Sequence, residues 1–314
     1  MKKPLIILTG PTAVGKSELS IELAKAIDGE IISADSMQVY KYMNIGTAKL
    51  TREEMGGIPH YLIDVLEPDE EFNVVKFKEY AIKYMDEIYA KGKIPIIVGG
   101  TGFYIQAVLY GIDFQETIED TAYRKYLEAV YKKQGPEFLH EKLRQVDPAS
   151  AAAIHPNNAK RIIRALEYYK QTGNPISEHN EEQRKKESPY NFCYFVLNQD
   201  RKVLYEKINR RVDQMMEKGL VEEVKFLLDK GLKPDIVSMQ GIGYKEIIRY
   251  LTGECSLEEA VYIIKRDTRH FAKRQLTWFR REREVIWIEK DEFGNDNNKI
   301  LEVIMKELKM KNII

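Results

Sequence analysis

Short apolar runs alternate with longer amphipathic stretches through the first hundred positions: PLIILTG (4 to 10), EIISAD (30 to 35), HYLIDV (60 to 65) and IPIIVGG (94 to 100). Runs of this length, rich in Ile and Val and separated by helical patterns, predict buried strands of a parallel sheet covered by helices. YNFCYFVLN (190 to 198) predicts one more strand about ninety residues later. Between them, 116 to 189 reads as an all-helical insertion, with apolar spacing at Tyr123, Tyr126, Leu127 and Val130 and again at Ile162, Ile163, Leu166 and Tyr169. The expected architecture is therefore α/β, with a catalytic core of 1 to 115 and 190 to 314 interrupted by that helical domain. QTGNP (171 to 175) stops a helix, and EHNEEQRKKES (178 to 188) predicts a solvated connector back to the sheet. Helices are expected at 201 to 218, 220 to 230, 243 to 251 and 256 to 283. In the last of these, Val261, Ile264, Thr268, Phe271, Gln275 and Phe279 fall near one stripe, with Lys265, Arg266, Arg269, Lys273 and Arg274 on its flanks. GNDNN forms a turn before a weakly amphipathic closing helix.

Composition narrows the function. The 314 residues are 44% hydrophobic and 31% charged, with 49 basic against 49 acidic side chains. A zero net charge gives no bulk attraction to nucleic acid or membrane, so a polyanion partner must be held by a local patch. The insertion and the 256 to 283 helix both carry a local basic excess. No apolar run reaches the length of a signal core or a membrane span, which leads us to expect a cytoplasmic protein with no membrane partner. Cys193 and Cys255 stand apart, without metal-ligand spacing, and are expected to be reduced packed thiols.

GPTAVGKS (10 to 17) matches the phosphate-binding loop pattern, and its place after a strand and before a helix makes the match specific. Gly10 and Gly15 let the backbone turn its N–H groups toward an anion, Lys16 adds a positive charge, and the Ser17 hydroxyl can ligate Mg²⁺. The loop alone does not say whether the anion is a nucleotide or another diphosphate. ADSMQVY (34 to 40) ends the second strand, so Asp35 faces the same crevice at the carboxyl edge of the sheet. Its carboxylate could bind Mg²⁺ through water, accept a proton from a nucleophile, or merely cap the next helix; Gln38 could read a base edge. VGGTGFY (98 to 104) brings the Thr101 hydroxyl to that edge, although a structural turn explains it equally well. Asp64 is read as structural, and His60 receives no role.

Together these segments resemble the tRNA dimethylallyltransferase family, also called isopentenyl-diphosphate:tRNA transferases. The resemblance runs nearly full length, through GPTAVGKS, ADSMQVYKYMNIGTAK (34 to 49), PHYLIDV (59 to 65), VGGTGFY, DPASAAAIHPNNAKRIIRALE (147 to 167), RRVDQMMEKGLVEEV (210 to 224), QGIGYKE (240 to 246) and TRHFAKRQLTWFR (268 to 280). The zinc finger of larger eukaryotic members is not present in this sequence. The resemblance implies transfer of a dimethylallyl group from dimethylallyl diphosphate to N6 of the adenosine immediately 3′ of the anticodon. It implies a diphosphate site at Gly10, Pro11, Thr12, Ala13, Val14, Gly15, Lys16 and Ser17, with Mg²⁺ at Ser17. Asp35 matches the family's general base, Arg211 the cation on the leaving diphosphate, and Thr101 its hydrogen-bonding partner. For tRNA it points to Asp35, Ser36, Met37, Gln38, Thr101 and Arg124, to Ala159, Lys160, Arg161, Ile162, Ile163 and Arg164, and to Gln240, Gly241, Ile242, Gly243, Tyr244 and Lys245. The acceptor adenine must then leave the anticodon stack to be reached. A monomer acting on the anticodon stem-loop is expected.

Three other readings share parts of this pattern. An adenylate isopentenyltransferase would use the same chemistry on a free nucleotide, but the helical insertion argues against it. A nucleotide kinase would use the loop and Asp35, but no arginine-rich lid segment is evident. A noncatalytic RNA-binding ATPase would need a clearer acidic strand end than Asp35 or Asp64.

Overall fold

The computed structural model describes residues 2–114 and 121–314. Two compact units emerge: Met1–Leu109 with Pro189–Ile314, and Tyr110–Ser188. The boundary expected between 115 and 116 falls on residues outside those described.

The first unit is built on six strands, β1 (Lys3–Thr9), β2 (Gly29–Ala34), β3 (His60–Tyr61), β4 (Ile94–Gly99), β5 (Tyr190–Asn198) and β6 (Val285–Glu289). They form one parallel sheet in the order β3-β2-β4-β1-β5-β6. β1 lies inside the sheet, with Ile6 opposite both Ile96 of β4 and Cys193 of β5. Its apolar residues Leu5 to Leu8 are fully buried, as a strand covered on both faces requires. The helices of this unit are α1 (Lys16–Ile27), α2 (Val74–Ala90), α3 (Gly102–Leu109), α9 (Arg201–Glu217), α10 (Leu220–Asp229), α11 (Tyr244–Leu251), α12 (Leu257–Phe279) and α13 (Asn297–Met310). Leu19 and Leu23 of α1 and Ile300, Ile304 and Leu308 of α13 share one core with Ile6, Leu8, Cys193 and Phe195 of the sheet. Burying each such side chain contributes about 1.5–3 kcal/mol before entropy is counted. Both cysteines are unpaired, and Cys193 is buried.

Two details differ from the sequence reading. The expected strand at 60 to 65 ends at Tyr61, because Leu62 and Asp64 take left-handed backbone angles (φ 63° and 54°) that no strand accommodates. β6 was not expected; it is a five-residue edge strand following directly on a long helix.

The second unit contains α4 (Thr121–Gln134), α5 (Pro136–Val146), α6 (Pro148–Ala153), α7 (Ala159–Thr172) and α8 (Ile176–Lys185), and no strand among the described residues. Leu127, Leu139, Leu143, Ile154, Ile162, Ile163 and Leu166 make its core. Asp147 caps α6 by accepting from the Ser150 N–H (2.9 Å) and ties in the start of α8 by accepting from the Ser177 hydroxyl (2.6 Å) and N–H (3.0 Å). Most of the expected connector is thus helical. α8 buries none of its residues, which is why its polar sequence suggested a loop.

Candidate active site

The phosphate loop leaves β1 with Gly10 at φ 148° and enters α1 through Ala13 at 65° and Gly15 at 95°. These turns direct amides away from the chain itself. Among the described residues the N–H groups of Ala13, Gly15, Lys16 and Ser17 find no backbone or side-chain acceptor, and the last two open α1, where the helix dipole favours an anion. Pro11 has no N–H, and the Thr12 N–H is occupied by Gln275 Oε1 at 2.9 Å. Val14 differs from its neighbours: its side chain is fully buried in the sheet core and its N–H turns back toward the Pro11 carbonyl at 3.4 Å.

Lys16 Nζ donates to the carbonyls of Gly10 (2.9 Å) and Pro11 (2.8 Å). Burial, reinforced by the nearby Arg211 charge and opposed by Asp35, brings its pKa down to about 7. Burial also lowers the pKa of Arg211, with Asp35 again opposing. An anion would relieve both cations. Lys16, Ser17, Asp35, Gln38, Arg211 and Gln275 all line one cavity at the carboxyl edge of the sheet, with Gly99 and Gly100 as its wall below β4. Asp35 and Arg211, 176 positions apart in sequence, are therefore brought together with the phosphate loop.

Asp35 caps no helix, since none begins between it and Val74. Oδ1 caps the turn after β2, accepting from the N–H groups of Met37 (2.8 Å) and Gln38 (3.3 Å). Oδ2 has no hydrogen-bond partner among the described residues, so the carboxylate is fixed by one oxygen and open at the other. The Gln38 amide is fixed at both ends, accepting from the Ser33 hydroxyl (3.1 Å) and donating to the Thr47 carbonyl (3.1 Å). Thr101 is not on the cavity wall; its N–H donates to the Ala34 carbonyl at 3.2 Å and its carbonyl starts α3. Ser36 and Met37 are half-buried beside the cavity without lining it. Asp64 is structural as expected, accepting from the buried Lys49 Nζ at 2.6 Å.

Gln275 is the residue the sequence reading missed. It is nearly buried, and besides holding the Thr12 N–H it donates to the Gly100 carbonyl at 3.0 Å, bridging two glycine-rich loops. A long polar side chain on the mostly apolar stripe of α12 was the available signal.

No group of three His, Cys, Asp or Glu side chains among the described residues could hold a metal unaided. The cavity offers the Ser17 hydroxyl and the Asp35 carboxylate. That fits a Mg²⁺ ion, which keeps several waters and takes further ligands from phosphate oxygens.

The residues expected to touch RNA fall into three sets. On α7, Lys160, Arg161 and Arg164 are exposed and Ala159 is half-buried, whereas Ile162 and Ile163 belong to the helical core. Those two assignments are corrected: at about 100° per residue a helix that turns 160, 161 and 164 outward turns 162 and 163 inward. Arg124 pairs with Glu167 through Nε (2.9 Å) and Nη2 (3.0 Å). In the Gln240 to Lys245 segment, Gln240 is exposed and Gly241, Ile242 and Lys245 are half-buried. Gly243 and Tyr244 are buried, and the Tyr244 hydroxyl donates to Glu223 at 2.7 Å, so direct RNA contact by the Tyr244 side chain is also corrected. No helix among the described residues is long and apolar enough to cross a membrane.

The family model described as IPP transferase matches residues 38–282. A tRNA dimethylallyltransferase of Lachnoclostridium phytofermentans is 64% identical over 312 residues, covering 99% of each chain. A crystal structure of full-length tRNA isopentenylpyrophosphate transferase from Bacillus halodurans is 46% identical, with TM-score 0.74 over 99% of this chain and 98% of that one. A eukaryotic dimethylallyltransferase acting on tRNA, solved as crystallographic snapshots, is 30% identical with TM-score 0.79, over 99% of this chain and 80% of that one.

Proposed function

The chain belongs to the IPP transferase family, whose members transfer a dimethylallyl group to tRNA, and from that premise we propose how its own residues perform the reaction. The donor is dimethylallyl diphosphate and the acceptor is N6 of the adenosine immediately 3′ of the anticodon. The diphosphate takes the open N–H groups of Ala13, Gly15, Lys16 and Ser17, and Lys16 exchanges its two carbonyl partners for phosphate oxygens. Asp35 Oδ2 receives the N6 proton as the N6–C1 bond forms and the C1–O bond to diphosphate breaks. Arg211 and Lys16 stabilise the charge gathering on the departing diphosphate. Mg²⁺, held through Ser17 with water and phosphate oxygens, would neutralise more of that charge. Thr101 does not line the cavity but follows Gly100, which does, and its hydroxyl, which has no partner among the described residues, would have to reach past Gly100 to meet the diphosphate.

The observation that carries this reading is the meeting, in one cavity, of an open-sided carboxylate, two half-buried cations and a phosphate loop with unused amides. For the helical unit we assign Lys160, Arg161 and Arg164 to phosphates of the anticodon stem. Single-turnover transfer to an anticodon stem-loop by Asp35→Asn tests the base; a wild-type rate in that variant would remove Asp35 from the role.

A further inference from the structure

The loop that follows Gln38 is held by one carboxylate from another part of the chain. Glu223 on α10 accepts from the backbone N–H groups of Asn44 (2.8 Å) and Ile45 (2.7 Å) through Oε2, and from that of Gly46 (3.0 Å) through Oε1. Oε1 also accepts the Tyr244 hydroxyl at 2.7 Å. Three consecutive amides and a phenol thus converge on one side chain. The Tyr244 ring packs so closely on Gly46 that a Cβ there would lie 2.5 Å from two ring carbons. The next residue, Thr47, supplies the carbonyl that holds the Gln38 amide, and Thr47, Ala48 and Gln38 all line the active-site cavity. No residue of the phosphate loop takes part in this set of bonds.

We propose that Glu223, with Tyr244 as its partner, is a positioning residue for the acceptor base: it fixes the 44 to 46 backbone, which fixes Thr47 and through it the orientation of Gln38. The inference rests on the reaction proposed above. It explains why a segment matched to tRNA contact should contain a buried tyrosine, whose hydroxyl points to Glu223. A carboxylate suits this role because it accepts from all four donors at once. Glutamine offers one oxygen and one NH₂, and the NH₂ would face the Gly46 N–H as donor against donor.

The test is steady-state transfer to an anticodon stem-loop at saturating donor, with titration of a nonreactive diphosphate analogue and urea unfolding in parallel. Glu223→Gln should raise the stem-loop KM about tenfold or more, with kcat within about threefold and analogue Kd within about twofold, the split expected when acceptor binding alone is loosened. Tyr244→Phe keeps the packed ring and should raise KM by a smaller factor, about threefold. Because both changes act on one hydrogen bond, the double variant should fall well short of the product of the single effects. Should Glu223→Gln not fold, Tyr244→Phe decides alone. An unchanged stem-loop KM in the folded variants, or an analogue Kd rising in step with KM, overturns the inference. If wild-type protein itself fails to modify the stem-loop, the proposed reaction falls and the inference with it.

Discussion

Binding of a diphosphate should draw a proton onto the protein. In the free protein burial and the neighbouring Arg211 charge bring the Lys16 pKa to about 7, so at pH 8 only about one lysine in ten carries its proton. A bound polyanion favours the charged form and returns the pKa toward its ordinary range. The expected uptake is therefore roughly 0.9 proton per analogue at pH 8, about half at pH 7, and little at pH 6. Affinity should weaken by about one log unit per pH unit above 7 until the bound-state pKa is reached. Isothermal titration of a nonreactive prenyl diphosphate analogue at pH 8, in buffers of different ionisation enthalpy, gives the proton count as the slope of heat against that enthalpy. Lys16→Met should reduce the slope to near zero and weaken binding. A slope near zero in the wild type would mean either that Lys16 is already charged or that the anion binds elsewhere, and would refute the reasoning.

Other consequences follow from the same geometry. Asp35→Asn should leave analogue binding within about twofold while slowing transfer about 10²- to 10⁴-fold in single turnover, the usual effect of losing a positioned base. Arg211→Ala should slow transfer by up to a few kcal/mol in barrier, about 10²-fold, in the same assay. Neutralising Lys160, Arg161 and Arg164 together should flatten the salt dependence of stem-loop affinity, by about 0.7–0.9 in log–log slope for each phosphate that is no longer neutralised. Asp147→Ala should destabilise the helical unit by about 1–3 kcal/mol in urea unfolding, since it removes a cap and strands the Ser177 N–H. Burial opposes ionisation of Asp147, but the bonds from Ser177 and Ser150 outweigh it and lower its pKa, so its contribution is present above the ordinary carboxylate range and fades as pH falls through the depressed value.

What the sequence made legible is what it encodes over short spans. The four long strands announce themselves as apolar runs, and the phosphate loop is a contiguous octapeptide recognisable from its glycines, lysine and serine. β6 escaped notice because Val285–Glu289 is a half-exposed edge with one well-buried side chain, Ile288, and so lacks a continuous buried run. α8 escaped because a helix that buries nothing has no apolar period. The bridging role of Gln275 was hidden for a different reason: its partners Thr12 and Gly100 lie 263 and 175 positions away. The same holds for Glu223 and the 44 to 46 loop. The α7 segment shows the reverse error, in which a contiguous motif was assigned whole although helical geometry divides it into a buried face and an exposed one.

The proposed reaction is a prenyl transfer from a diphosphate on the phosphate loop to an adenosine N6 in tRNA, with Asp35 taking the proton. Its most direct measurement is incubation of the protein with dimethylallyl diphosphate and Mg²⁺, offering either an anticodon stem-loop or AMP as acceptor, followed by mass spectrometry of the released nucleosides. The wild-type protein should give N6-dimethylallyladenosine from the position immediately 3′ of the anticodon and none from AMP, with a single-turnover yield that collapses in Asp35→Asn. Product from AMP but not from the stem-loop, or equal product from wild type and Asp35→Asn, would contradict it.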